Sequence, residues 1–156
     1  RAAITARSDY AEAWYTLGSV LKQQGKLPEA ATALREAIAL QPDFPGAHTN
    51  LAAVLRQMGD SEGAAAESKL GVQITKEKNS LQAATFNTNS GQRMLNAGDL
   101  EGAIGQFRSA ISLSPDYAPA HLYLAEALKR KGEDAEAKKE SEKAAELDAK
   151  IKSRPQ

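Results

Sequence analysis

The sequence predicts an all-α protein, an α-α superhelix built as a solenoid of antiparallel helical hairpins, on three observations. Glycines recur at a nearly fixed spacing, each closes an amphipathic helical stretch, and each is followed five residues later by an alanine. Gly25, Gly59, Gly98 and Gly132 are evenly placed except for one longer gap, between Gly59 and Gly98, and self-similarity at such a period marks a repeat architecture. The alanines are Ala30, Ala64, Ala103 and Ala137.

The first helix of a unit is read from Trp14, Leu17, Gly18 and Leu21 before Gly25, and from His121, Leu124, Ala125 and Leu128 before Gly132. Both sets follow the i, i+3, i+4, i+7 spacing of one helix face. The glycine then caps the helix, because a residue without Cβ enters the left-handed region at least cost. Its alanine puts a small side chain where the two helices of a hairpin touch. A second helix is predicted over 29–40 and 101–113. Gln41-Pro42-Asp43-Phe44 and Ser114-Pro115-Asp116-Tyr117 end it, since proline cannot continue the hydrogen-bond ladder. The unit is helix, tight turn, helix, proline stop.

Trp14, Leu17, Gly18, Leu21, Gly25, Ala30, Leu34, Ala37 and Pro42 together resemble the signature of the tetratricopeptide repeat, a unit of about 34 residues. The resemblance covers almost the whole chain and implies one domain of four units at 11–44, 45–78, 84–117 and 118–151, with an insertion at 79–83 and a tail at 152–156. Residues 1–10 read as the tail of a preceding repeat helix, because Ala3, Ile4, Asp9 and Tyr10 fall on Ala37, Ile38, Asp43 and Phe44 when shifted by one unit. The third unit matches mainly through Ala103, Phe107, Ala110 and Pro115, and the second has Lys76 where its closing proline belongs.

The chain repeats better over two units than over one. Ala47-His48, Leu51-Ala52, Leu55 and Glu67-Ser68 recur as Ala120-His121, Leu124-Ala125, Leu128 and Glu140-Ser141, as in a duplicated pair of hairpins. The five extra residues at 79–83 amount to about 7.5 Å of helix, so lengthened helices and a change of curvature are expected there. Residues 132–152 are dense in Lys and Glu, with Glu146 and Lys150 at the favourable i, i+4 spacing. That composition suits the solvated terminal helix a solenoid needs.

Composition removes several classes of function. In 156 residues Lys plus Arg equals Asp plus Glu at 20 each, and aromatic residues are 5%. Neither a basic field nor a stacking platform for nucleic acid is present. No cysteine occurs, which removes thiol nucleophiles and thiolate metal sites. No apolar run approaches the ~20 residues of a membrane span. Arg1 to Arg7 hold no apolar stretch of the kind a secretory signal needs, and the compartment stays open. HExxH, GxSxG, P-loop and GxGxxG patterns are missing. No cofactor, metal or catalytic role is therefore expected. His48 and His121 stand at the place Trp14 holds in the first unit, which predicts packing rather than chemistry.

The family resemblance implies that first helices line a concave groove and that fixed places along them face it. These places hold Glu12, Tyr15, Ser19, Lys22 and Gln23, then Thr49, Asn50, Arg56 and Gln57, then Thr88, Asn89, Gln92 and Asn96, then Leu122, Tyr123, Glu126, Lys129 and Arg130. The peptide-binding set drawn from them is Tyr15, Ser19, Lys22, Asn50, Arg56, Asn89, Gln92, Asn96, Glu126, Lys129 and Arg130. Asn50 and Asn89 share the sixth place, similar to the asparagine ladder of O-linked N-acetylglucosamine transferases, although Thr16 and Tyr123 interrupt it. An asparagine amide offers one acceptor and two donors to a peptide backbone.

The carboxylate clamp of chaperone-binding members is mostly missing: Tyr15, Ser19, Thr85 and Asn89 replace its residues and Asn50 alone fits. Lys22, Arg56, Lys129 and Arg130 give a mild acidic preference. Asn87 and Ser90 occupy packing places in the third unit, which predicts either a loosely packed joint, the favoured reading, or a site whose polar face awaits a partner. The expected function is a non-catalytic scaffold that binds an extended peptide or a partner protein. The alternative is a subunit that self-assembles head-to-tail into an oligomer or filament, with the 1–10 edge docking on a neighbour's terminal hairpin.

Overall fold

Glycine turns and proline stops divide the chain into helices. The computed structural model describes the backbone of residues 2–153 and the side chains of residues 10–153. Among the described residues there are seven helices and no strand: α1 (Ala2–Gln23), α2 (Leu27–Leu40), α3 (Pro45–Gln57), α4 (Ser61–Asn96), α5 (Leu100–Leu113), α6 (Ala118–Lys131) and α7 (Asp134–Lys152). The all-α class is as the sequence predicts.

All four periodic glycines take left-handed backbone, with φ of 74°, 86°, 86° and 90°. In each turn the next amide reaches back five residues, Lys26 to Leu21 at 3.0 Å and Asp60 to Leu55, Asp99 to Met94 and Glu133 to Leu128 at 2.9 Å. This satisfies carbonyls the helix end leaves open. The following helix starts at once. Asp60 and Asp99 accept from the Gly63 and Gly102 amides at 2.8 and 2.9 Å, and Pro28 presets the first turn of α2. Consequently α2 and α5 begin at Leu27 and Leu100, one or two residues before the sequence-predicted starts.

Helices α2 and α5 stop at Leu40 and Leu113, two residues ahead of Pro42 and Pro115. The second unit holds Lys76 at that place, and nothing there breaks the ladder. Its helix continues to Asn96 as the 36-residue α4, which takes in 79–83. The expected lengthening takes the form of one uninterrupted helix.

The chain divides into two units, Arg1–Lys76 and Glu77–Gln156, with the boundary inside α4. In the first, Ala30, Ala31 and Leu34 of α2 close on Leu51, Val54 and Leu55 of α3 and Ala64 of α4. A Cβ at Gly18 would lie 2.6 Å from Leu34 Cγ, so the α1–α2 crossing needs glycine. In the second unit, Ala103, Ile104 and Phe107 of α5 pack with Leu95 of α4, Leu124, Ala127 and Leu128 of α6 and Ala137 of α7. A Cβ at Gly91 would meet Phe107 Cε1 at 2.6 Å. All four periodic alanines are buried.

The face of α7 turned to solvent carries ion pairs, Lys150–Glu146 at 2.6 Å and Lys143–Glu146 at 3.2 Å. The Lys150 ammonium and then Lys143 hold the Glu146 carboxyl below the usual carboxylate range. Lys131 pairs with Glu101 at 2.7 Å and Glu133 at 2.6 Å, which together raise its own pKa. The leading edge expected at 1–10 lies, for the side chains of 1–9, outside the described residues. Its backbone from Ala2 belongs to the single helix α1. Trp14 and Leu17, read as packing residues, are exposed instead, as is Val20. Their spacing correctly puts them on one face, but spacing does not say that the face is covered.

Candidate peptide-binding surface

Four residues of the sequence-predicted set meet in the first unit. Lys22 donates from Nζ to Asn50 Oδ1 at 2.9 Å, and Asn50 donates from Nδ2 to Ser19 Oγ at 3.0 Å. Ser19 in turn donates to the Tyr15 carbonyl at 2.9 Å. The Tyr15 ring lies 4.8 Å from that of Phe44. A chain of hydrogen bonds thus crosses from α1 to α3 and fixes the Asn50 amide. It leaves that amide one N–H and one acceptor site, and the lysine two N–H donors, by the ordinary capacity of these groups. Arg56 is exposed near the end of α3.

The other predicted residues belong to the second unit. Asn89 and Asn96 are exposed on α4 and Gln92 is half-buried there. On α6, Arg130 pairs with Glu126 one turn earlier. Glu126 and Lys129 also line a groove of about 560 Å³ between α6 and α7, with Leu122, Tyr123, Ala125, Ala137 and Ser141 among its walls. The Tyr123 ring is anchored by Phe107 at 5.9 Å, nearly parallel.

The two histidines have a common architecture. His48 is buried, its Nε2 donating to the Pro42 carbonyl at 2.9 Å and its Nδ1 paired with Glu67 Oε2 at 2.7 Å. His121 does the same with Pro115 at 2.8 Å and Glu140 at 2.6 Å. Each imidazole therefore ties both helices of its hairpin to the proline loop before it. This accounts for the recurrence of His and Glu together in every second unit. The third unit, with Asn87 in the histidine's place, buries Thr88, whose hydroxyl donates to the Ala84 carbonyl at 2.8 Å.

The recurrence of Glu67 and Glu140 is visible in the sequence but their pairing with the histidines is not, and the sequence names Glu126 and Lys129 without the α6–α7 groove they line. A signal for the groove exists: Leu34 and Phe107 have Ser141 as their counterpart, which empties the space those side chains fill.

Helical hairpins joined by glycine turns, with small residues at each crossing, define a helical-hairpin repeat protein. Residues 18–59 match the model of the TPR repeat and residues 94–153 that of the tetratricopeptide repeat. The chain belongs to the tetratricopeptide repeat family. Similar solved structures include a crystal structure of MamA, at 20% identity over 97% of this chain and 86% of that one, with a TM-score of 0.45. Another is PilF of Pseudomonas aeruginosa, at 23% identity over 91% of this chain and 63% of that one, TM-score 0.44. The first TPR of Spaghetti (RPAP3), bound to the HSP90 peptide SRMEEVD, is 19% identical over 80% of this chain and 95% of that one, TM-score 0.44. No curated protein matches the sequence. Among the described residues no helix is long and apolar enough to cross a membrane.

Proposed function

We propose that the chain is a protein-interaction scaffold, and that the α1–α3 wall of its first unit holds an extended peptide. The observation that carries this reading is the Lys22–Asn50–Ser19 chain of hydrogen bonds. Groups fixed before a ligand arrives lose less freedom on binding. The remaining Asn50 valences suit a peptide bond, which offers one donor and one acceptor, and the free Lys22 donors suit a carboxylate. Arg56 adds positive charge on α3. The favoured ligand is an extended segment with an acidic side chain or a C-terminal carboxylate near Lys22. In the second unit Asn89, Gln92 and Asn96 offer further amide contacts, and Glu126, Lys129 and Arg130 a mixed-charge patch.

The test is selection of peptides from a random display library, followed by calorimetry with Lys22→Ala and Asn50→Ala. Each substitution removes hydrogen bonds worth about 1.5–3 kcal/mol where a charge takes part, so affinity should fall roughly tenfold or more. Peptides that bind both variants as tightly as the parent chain would show that this wall is not the site.

A further inference from the structure

We propose, resting on the reading of the α1–α3 wall as a peptide site, that Tyr15, Phe44 and Gly46 form a second contact point on it. This point takes an aliphatic side chain of the bound peptide, two or three residues from the carboxylate at Lys22. The Tyr15 and Phe44 rings lie 4.8 Å apart and are tilted by 43°, and both are half-buried. Gly46, in the first turn of α3, faces them: a Cβ there would meet Phe44 Cε2 at 3.3 Å and Tyr15 Cε2 at 3.4 Å. Glycine therefore keeps an apolar cleft open between the rings and α3. Hairpin packing does not account for this cluster, because packing residues recur from unit to unit and these do not. The corresponding places hold Thr49, Lys78 and Thr85 one unit on, and Thr88, Tyr117 and Pro119 two units on.

The cleft continues the wall that fixes Lys22 and Asn50. Tyr15, Ser19 and Lys22 follow at i, i+4 and i+7 on the side of α1 turned to α3, as their contacts with Gly46 and Asn50 show. None of it belongs to the face of Trp14, Leu17 and Val20. Charge orients the ligand. Glu12, exposed, stands one turn before Tyr15, whereas Lys22 and the exposed Arg56, which holds the same place in α3, lie beyond it. An acidic group is thus drawn to the Lys22 end and disfavoured at the Tyr15 end. The rise of α1 is about 6 Å from Tyr15 to Ser19 and about 10.5 Å from Tyr15 to Lys22. Because the Lys22 ammonium meets the same amide as Ser19, a carboxylate on it lies between those two levels. An extended strand returns to the same side every second residue, about 6.6 Å on, and a polyproline helix every third, about 9.3 Å on. Those two conformations span the required distance, which sets the spacing of the aliphatic side chain from the carboxylate.

The test passes an octapeptide library, with glutamate fixed at one middle place and both ends blocked, over the immobilised chain and sequences the retained pool. Leucine, methionine and proline should be enriched two or three places to one side of the glutamate. A single peptide with leucine there should bind roughly tenfold tighter than its serine counterpart. A second library, with a free C-terminal carboxylate and no acidic residue, shows the same spacing measured from the chain end where that carboxylate is the one held. Tyr15→Ala should erase the apolar enrichment and leave the preference for glutamate over glutamine, and Tyr15→Phe should keep both. Gly46→Ala, which fills the cleft without removing a ring, should act as Tyr15→Ala does, and unchanged far-UV circular dichroism checks that the variants fold. Retention that depends on the carboxylate without apolar enrichment at those places overturns the cleft alone, as does enrichment that survives Tyr15→Ala or Gly46→Ala. Retention indifferent to Lys22→Ala and Asn50→Ala overturns the wall itself, and the cleft with it.

Discussion

Removing the His48 imidazole measures how far a buried polar clamp, rather than simple filling of space, holds the first unit together. His48 Nε2 meets a carbonyl at 2.9 Å and Nδ1 a carboxylate at 2.7 Å. A bond to an uncharged acceptor such as the first is worth about 0.5–1.5 kcal/mol and a bond to a charged group about 1.5–3. The second figure is discounted toward its lower end, because the Glu67 side chain is 25% exposed and water replaces part of what is lost. His48→Ala should therefore cost about 2–4 kcal/mol, and Glu67→Ala about 1–2. The double variant should cost less than the sum by about 1–1.5 kcal/mol, the coupling of the pair. Trp14 is the sole tryptophan and lies in the same unit, so urea titration followed by its fluorescence reads the first unit selectively. Additive losses would refute the clamp, and the imidazole would then act by filling space alone.

Two further substitutions test the packing and the long helix. Gly91→Ala drives a methyl to within 2.6 Å of the Phe107 ring and should destabilise the second unit by about 1–3 kcal/mol. Gly105→Ala, with no atom in reach of the added methyl, should stabilise by about 0.5–1 kcal/mol; equal effects in thermal melts would show that the α4–α5 crossing is not tight. Lys76→Pro places a proline inside α4 where the neighbouring repeats have one, and should cost about 3 kcal/mol or more by removing a helical hydrogen bond. A neutral result in urea unfolding would mean that the chain turns at this point instead of continuing.

Backbone-local features were the most legible in the sequence. Gly25, Gly59, Gly98 and Gly132 announce their turns because a left-handed residue is a property of one position and its immediate neighbours. Pro42 and Pro115 announce the stops for the same reason. The continuous α4 was harder to read, since its signal is a missing proline at Lys76, and an absence does not say which of two structures follows. Glu67 and Glu140 recur with His48 and His121 in the sequence. Their pairing joins groups far apart along the chain and depends on how two helices of a hairpin face each other. Likewise Ser19, Lys22 and Asn50 could be named as surface residues, whereas the bonds that join them depend on the approach of α1 to α3. Periodicity groups Trp14 with Leu17, and only the packing reveals that no described residue of the first unit shields them as Leu51 and Leu124 are shielded.

At about 100° per residue, Tyr15, Ser19 and Lys22 cluster on one side of α1, while Trp14, Leu17 and Val20 centre on the other. The first side carries the hydrogen bonds that join α1 to Asn50, and the second is exposed. A peptide held by Lys22 and Asn50 therefore touches none of these three apolar residues. Leu17→Gln should accordingly leave the affinity of the first unit for such a peptide unchanged, while Lys22→Ala lowers it roughly tenfold. Equal loss from the two substitutions would place the peptide on the aliphatic face of α1 and overturn the assignment of the Lys22–Asn50 wall.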